Sequence, residues 1–186
     1  MAELRQAEPT RPVEVWAEDE ARLGLKPIVR RTWALRGRRP TANGRMKYDW
    51  WYLYGFVHPA TGRNLELLIP RVNTACMSMA LGEFARWADP GHSKTIVLLV
   101  DNAGCHVAKS LVVPPGLVLH PLPPCTPELQ PVEPLWPLVR EAVANKGFAD
   151  LDEMEPILED RCRWLIHHPE VVRGAVGFAW AAALNG

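Results

Sequence analysis

Apolar and polar positions first alternate over residues 13–19, VEVWAED, where Val13, Val15, Ala17 and Asp19 share one face of an expected strand. The last inward position of that strand is a carboxylate. Residues 27–34, PIVRRTWA, have the pattern of a second strand, leading into the turn-forming RGRRP and TANG. Residues 48–57, YDWWYLYGFV, are aromatic and apolar on both faces, as a central strand would be. Thr61-Gly62 then closes a hairpin onto NLELLI at 64–69. Met77, Leu81, Phe84 and Trp87 recur at helical spacing within 74–88, ended by Pro90-Gly91. The aliphatic run TIVLLV, 95–100, reads as a strand that drops without a spacer into Asp101 and Asn102, with a short helix expected over 104–111. A strand at 116–120 runs into PLPPCTPELQPVEP, and helices are expected near 137–146 and 151–166 before a Gly/Ala-rich apolar end.

This order of elements predicts a mixed sheet with helices packed on it, an α/β or α+β arrangement. With 186 residues and no internal repeat, one domain spanning 1–186 is the economical reading. The composition, 48% hydrophobic and 23% charged, is that of a globular chain. No apolar run approaches the roughly 18 residues of a membrane span, and MAELRQAEPTRP has no signal-like apolar centre, so a cytoplasmic location and no membrane partner are expected. Cys76, Cys105, Cys125 and Cys162 are scattered, with no CxxC and no zinc-finger spacing, which suits reduced thiols serving as small apolar residues.

Net charge is zero, but its distribution is uneven. Arg22, Lys26, Arg30, Arg31, Arg36, Arg38, Arg39, Arg45 and Lys47 lie in one stretch without an acid. Such a block is either a solvated face or a surface for phosphates.

Two acids stand at expected strand ends, Asp19 and Asp101, and a third, Glu133, lies in PVEPLW. Carboxylates gathered at one end of a sheet repel one another unless a cation neutralises them, and magnesium suits an all-carboxylate site. Glu18 and Glu20 flank Asp19, but strand alternation puts Asp19 on the face of Val15 and Ala17.

AEDEARLGLKP followed by RRTWALRGRRP, LLVDNAGCH, LPPCTPELQPVEPLW and NKGFADLDEM together resemble the catalytic domain of the DDE transposases, in the mariner superfamily and its bacterial insertion-sequence six-thirty group. The similarity runs from about residue 13 to 165, and the third segment is its most specific part. The resemblance implies a ribonuclease H-like fold, with a mixed five-stranded sheet flanked by helices. It implies Asp19, Asp101 and Glu133 as catalytic, metal-binding triad, holding two Mg2+ or Mn2+ ions during catalysis. The implied activity is cleavage of DNA at transposon ends, then strand transfer to target DNA. In this context Arg30, Arg31, Arg36, Arg38 and Arg39 become candidate DNA contacts. Asn102 and His106 match the motif as secondary candidates, Asn102 to hold the metal-side turn or to cap the following helix, and His106 as a packed histidine or a contact to phosphate or water. Trp136 is expected in the core.

The resemblance also marks departures. Gln130 stands where the family has Asn, Cys125 where an aromatic is common, and Pro134 and Pro137 bracket Leu-Trp just after Glu133, so a late helix start and an irregular turn at Glu133 are expected. No helix-turn-helix region precedes the catalytic segments, so an N-terminal half from an upstream reading frame is the expected partner, in an active homodimer on bacterial, nucleoid-associated DNA. The competing expectation is a catalytically inactive remnant that only binds DNA or dimerises.

Overall fold

The computed structural model describes residues 11–41, 47–124 and 126–185. Five strands form one sheet: β1 (Val13–Gly24), β2 (Trp50–Val57), β3 (Asn64–Ile69), β4 (Thr95–Val100) and β5 (Leu117–Pro121). Their order is β3-β2-β1-β4-β5, with β1–β2 and β2–β3 antiparallel and β1–β4 and β4–β5 parallel. The helices are α1 (Thr74–Ala88), α2 (Leu135–Arg140), α3 (Leu151–His167), α4 (Pro169–Val176) and α5 (Ala179–Ala183).

The expected strands at 64–69 and 95–100 and the helix at 74–88 are observed with those bounds. β1 is the middle strand and runs five residues past Asp19, because Ala21 and Leu23 keep alternating into the core while antiparallel pairing with β2 continues to Gly24. Residues 27–34 form no strand. Val29 and Trp33 have the alternation of one, yet no sheet face receives them, and they are 81% and 103% exposed. Only the base of this arm is held: Asn145 N–H donates to Ile28 O, Arg30 N–H donates to Asn145 Oδ1, and Asn145 Nδ2 donates to Arg30 O. Residues 104–111 form isolated turns rather than a helix, since the Asp101 carboxylate takes Ala103 N–H and bends the chain away. The helix expected at 137–146 starts earlier, at Leu135, and tightens into a 3-10 turn at Glu141–Val143.

Alternation along the strands divides the core into two layers. Val15, Ala17, Ala21, Leu23, Leu53, Val97 and Leu99 pack under α2, α3 and α4, whereas Trp16, Tyr54, Phe56, Ile96 and Leu98 pack under α1. Gly62, at a positive φ of 77°, turns the β2–β3 hairpin where an added Cβ would lie 1.9 Å from Pro169 O. No helix among the described residues is long and apolar enough to cross a membrane.

Edge strand β3 carries a conflict. Glu66 faces the layer of α3 and lines a groove of about 440 Å³, with both carboxylate oxygens buried and without a hydrogen-bond partner among the described residues. Burial pushes its pKa from 4.5 to about 8. Across that window the folded chain keeps a proton that the unfolded chain has released, so Glu66 makes stability fall as pH rises from about 4.5 through about 8. Glu66→Gln is expected to flatten this fall in urea melts taken across the same range. Equal pH slopes for the two proteins would refute the assignment.

Candidate active site

β1 and β4 pair in parallel from Val13–Thr95 to Ala17–Leu99. Asp19 lies two residues further along β1 and Asp101 directly follows β4, and both line the same cleft. Both lie on the face of Ala17 and Leu99, towards α2. The segment between β5 and α2 folds back over this spot and brings Glu133. Asp19, Asp101 and Glu133, separated widely in sequence, line one cleft of about 420 Å³ together with Asn102, Leu122, Pro123, Pro124, Thr126 and Gln130.

Several short connections hold the cleft. Gln130 is buried, and its Nε2 donates to Glu18 O at 2.9 Å, tying the loop before Glu133 to β1 next to Asp19. The amide at this position therefore crosslinks the motif to the sheet. Asn102 Nδ2 donates to Leu122 O at 2.6 Å, which joins the end of β4 to the chain leaving β5. Asn102 caps no helix, since residues 104–111 form turns.

Glu133 occupies the turn immediately before α2, in keeping with the two prolines after it, but the helix does not start late. Pro134 is its N-cap, Pro137 falls in its first turn where no intrahelical donor is needed, and Trp136 N–H donates to Glu133 O at 3.2 Å. Cys125 lies outside the described residues.

Trp136 has a role that its apolar character conceals. It is 2% exposed, and its Nε1 donates to Asp19 Oδ2 at 3.0 Å. The ring lies over Gly55, the β2 residue paired with Asp19. A Cβ there would stand 2.6 Å from Trp136 Cη2. An aromatic three residues after Glu133 and a glycine inside an aromatic strand are the two sequence signals that could have suggested this contact.

His106 is the corresponding support for Asp101. Its Nδ1 lies 2.7 Å from Asp101 Oδ1, which also accepts Ala103 N–H at 2.8 Å. Burial alone would pull the imidazole pKa down, but Glu20 and Asp101 outweigh it and hold it above its ordinary value. His106 is buried, 6% exposed, and touches Asp101 from behind. Packing and hydrogen bonding, not exposure to the cleft, describe it. The pKa of Asp19 is pushed up from 3.8 to about 7, first by burial and then by Glu133 and Glu20, against the lowering effect of the Trp136 N–H. Glu18, fully buried on the opposite face, is held well above the usual carboxylate range by burial and by Glu20, Asp19 and Asp101.

The arginine-rich arm is separate from these supports. Arg30, Arg31, Arg36, Arg38 and Arg39 are all exposed, and the only ion pair they make among the described residues is a loose one, Arg30 to Glu141 at 4.0 Å. Arg45 lies outside the described residues.

Comparison with known proteins agrees with this geometry. Residues 14–155 match the DDE superfamily endonuclease family, and the chain belongs to that family. It is similar to an uncharacterized protein, y4pE/y4sA, of Sinorhizobium fredii, with 39% identity over 106 residues that cover 56% of this chain and 77% of the relative. Its fold resembles that of a pre-cleavage Mos1 transpososome (TM-score 0.57, 14% identity, 95% of this chain and 59% of the other). It also resembles a Mos1 mariner paired end complex with Mn (TM-score 0.56, 16% identity, 89% and 56%). A simian T-cell lymphotropic virus intasome is similar at a TM-score of 0.52, with 14% identity over 86% of this chain and 50% of the other. The sheet is therefore ribonuclease H-like, and this chain spans little more than half the length of the two Mos1 chains.

Trp136→Phe keeps an aromatic ring over Gly55 but removes the N–H that steadies Asp19. It is expected to raise the Asp19 pKa above about 7 while the fold persists. Carboxyl NMR pH titration of the two proteins checks this, and equal Asp19 pKa values would assign Trp136 to packing alone.

Proposed function

We propose that the chain is the catalytic part of a transposase, which cuts DNA at transposon ends with water and joins the freed 3′ hydroxyl to target DNA. The observation that carries this reading is the meeting of Asp19, Asp101 and Glu133 in a single cleft. The donor set is all carboxylate, which fits Mg2+ or Mn2+. The repulsion and burial that raise the Asp19 pKa are also what a cation relieves. Asp19, Asp101 and Glu133 would hold the metal, and two ions bound there would supply activation of the attacking hydroxyl and stabilisation of the leaving oxygen.

The remaining work falls to the chain's own groups. Trp136 and His106 each engage one oxygen of a triad carboxylate and so set how Asp19 and Asp101 face the cleft. Gln130 and Asn102 keep the Glu133 segment and the end of β4 in place. The exposed guanidinium groups of Arg30, Arg31, Arg36, Arg38 and Arg39 match phosphate oxygens and would hold the DNA backbone without reading sequence. Recognition of transposon ends is assigned to a helix-turn-helix half encoded upstream, and catalysis to a homodimer acting on nucleoid DNA in a bacterial cytoplasm.

The reading is tested with pre-cut transposon-end DNA and supercoiled target, in Mg2+ or Mn2+, with the N-terminal half supplied. Metal-dependent nicking and joining is expected, falling about a thousandfold or more in Asp101→Asn, Asp19→Asn and Glu133→Gln. Negligible activity in wild type and variants alike would leave a folded remnant and overturn the proposal.

The arm is tested separately by binding to random duplex. The triple change Arg36→Ala, Arg38→Ala and Arg39→Ala is expected to weaken binding for all sequences. The slope of log affinity against log salt should shrink by about 0.9 for each phosphate that the arm no longer neutralises. An unchanged slope would assign the arm to solvent.

A further inference from the structure

Behind the cleft, on the α1 face of the sheet, lies a second group of ligand-type side chains that the DNA chemistry does not use. Glu20, Cys105 and His106 place one ligand atom each within 4.8 Å of one another. His106 Nε2 is 3.3 Å from Glu18 Oε2 and 3.5 Å from Glu20 Oε1, and Cys105 Sγ is 3.8 Å from Glu20 Oε1. Glu18 is fully buried, and among the described residues neither of its carboxylate oxygens has a hydrogen-bond partner, nor does His106 Nε2. Three polar atoms thus converge on one buried point and remain unsatisfied there, an arrangement that costs stability if nothing fills it.

We propose that Glu20, Cys105 and His106 form a buried zinc site that braces the back of Asp101, with the Glu18 carboxylate beside His106. The His106 Nε2–Glu20 Oε1 and Cys105 Sγ–Glu20 Oε1 separations, 3.5 Å and 3.8 Å, lie close to the edges of a zinc tetrahedron. Zinc bonds of about 2.1 Å to nitrogen and oxygen put such atoms about 3.4 Å apart, and a zinc–sulfur bond of about 2.3 Å stretches the sulfur–oxygen edge to about 3.6 Å. The donor set of thiolate, imidazole and carboxylate selects zinc over magnesium, which avoids sulfur.

The far side of the imidazole completes the pattern. Nδ1 faces the Asp101 carboxylate at 2.7 Å, so Nδ1 carries the proton and Nε2 is left as a metal ligand. Zinc-bound histidines commonly show this carboxylate support. The same negative surroundings, with burial first and Glu20, Glu18 and Asp101 after it, push the Cys105 thiol up to about 11 in the metal-free chain. A divalent cation reverses that and binds with release of the thiol proton. The zinc site and the three-carboxylate cleft then share Asp101 through one imidazole, with the zinc on the opposite face of the sheet.

The rival arrangement, a doubly protonated His106 among the acids, is separated by cobalt spectroscopy on the chelator-stripped full chain. Co2+ is expected to bring up a thiolate-to-metal charge-transfer band that saturates at one equivalent and is abolished by one equivalent of Zn2+. The band should disappear in Cys105→Ser, persist in Cys76→Ser, and persist in the Asp19→Asn, Glu133→Gln double variant. Glu20→Gln is expected to weaken Co2+ binding at least about tenfold, and Asp101→Asn about 10- to 100-fold through the loss of support to His106. A wild-type protein without the charge-transfer band, or a band that survives Cys105→Ser, overturns the proposal. The wild-type titration requires no variant to fold, and it reads a site distinct from any DNA cleavage activity.

Discussion

The parallel pairing of β1 with β4 is the constraint on which the site depends. From Val13–Thr95 to Ala17–Leu99 the register is continuous, and beyond it Asp19 and Asp101 reach the same cleft. A slip of one residue would turn Asp19 to the α1 face and put Glu18 or Glu20 in its place, because side chains alternate along a strand. The register is held by burial on both faces: every residue of β4 is buried, and Val15, Trp16 and Ala17 are fully so. Two carboxylates are therefore held in one cleft by apolar packing that neither of them contributes to.

That placement explains the supports around it. Trp136 stabilises one oxygen of Asp19, and His106 with Ala103 N–H occupies one oxygen of Asp101. Gly55 is the steric condition for the first of these, since any Cβ there would displace the indole. Gln130 reaches across to the backbone of Glu18 and so couples the position of Glu133 to the same strand that carries Asp19. The sheet thereby works on both faces at this point, with the triad on one side and the Glu18–Glu20–Cys105–His106 group on the other. DDE superfamily membership and the ribonuclease H-like sheet account for the first face. The second follows from this chain's own residues.

Some elements were readable from local pattern. Strands 64–69 and 95–100 and the helix at 74–88 follow from alternation, an unbroken aliphatic run and a helical period with its stop signal. Alternation also chose Asp19 over its acidic neighbours correctly for face, although it ended the strand too early. The failures share a cause. Residues 27–34 have strand composition but lack a partner strand, and residues 104–111 follow a turn in which Asp101 takes the Ala103 N–H. Pairing and side-chain capture by a distant or neighbouring group decide such segments, and neither appears in a periodicity.

The sequence by itself determined the mixed α/β order of elements and the basic arm, because both are expressed in residue types at short range, and its resemblance to the DDE transposases singled out Asp19, Asp101 and Glu133 as candidates. Only the tertiary structure decided that those acids share one cleft, that Trp136 and Gly55 belong to Asp19, and that Cys105 and His106 converge with Glu18 and Glu20. These relations join residues that lie far apart in the chain. They are created by strand register and by the fold-back of the segment before α2, which depend on the packing of the whole sheet.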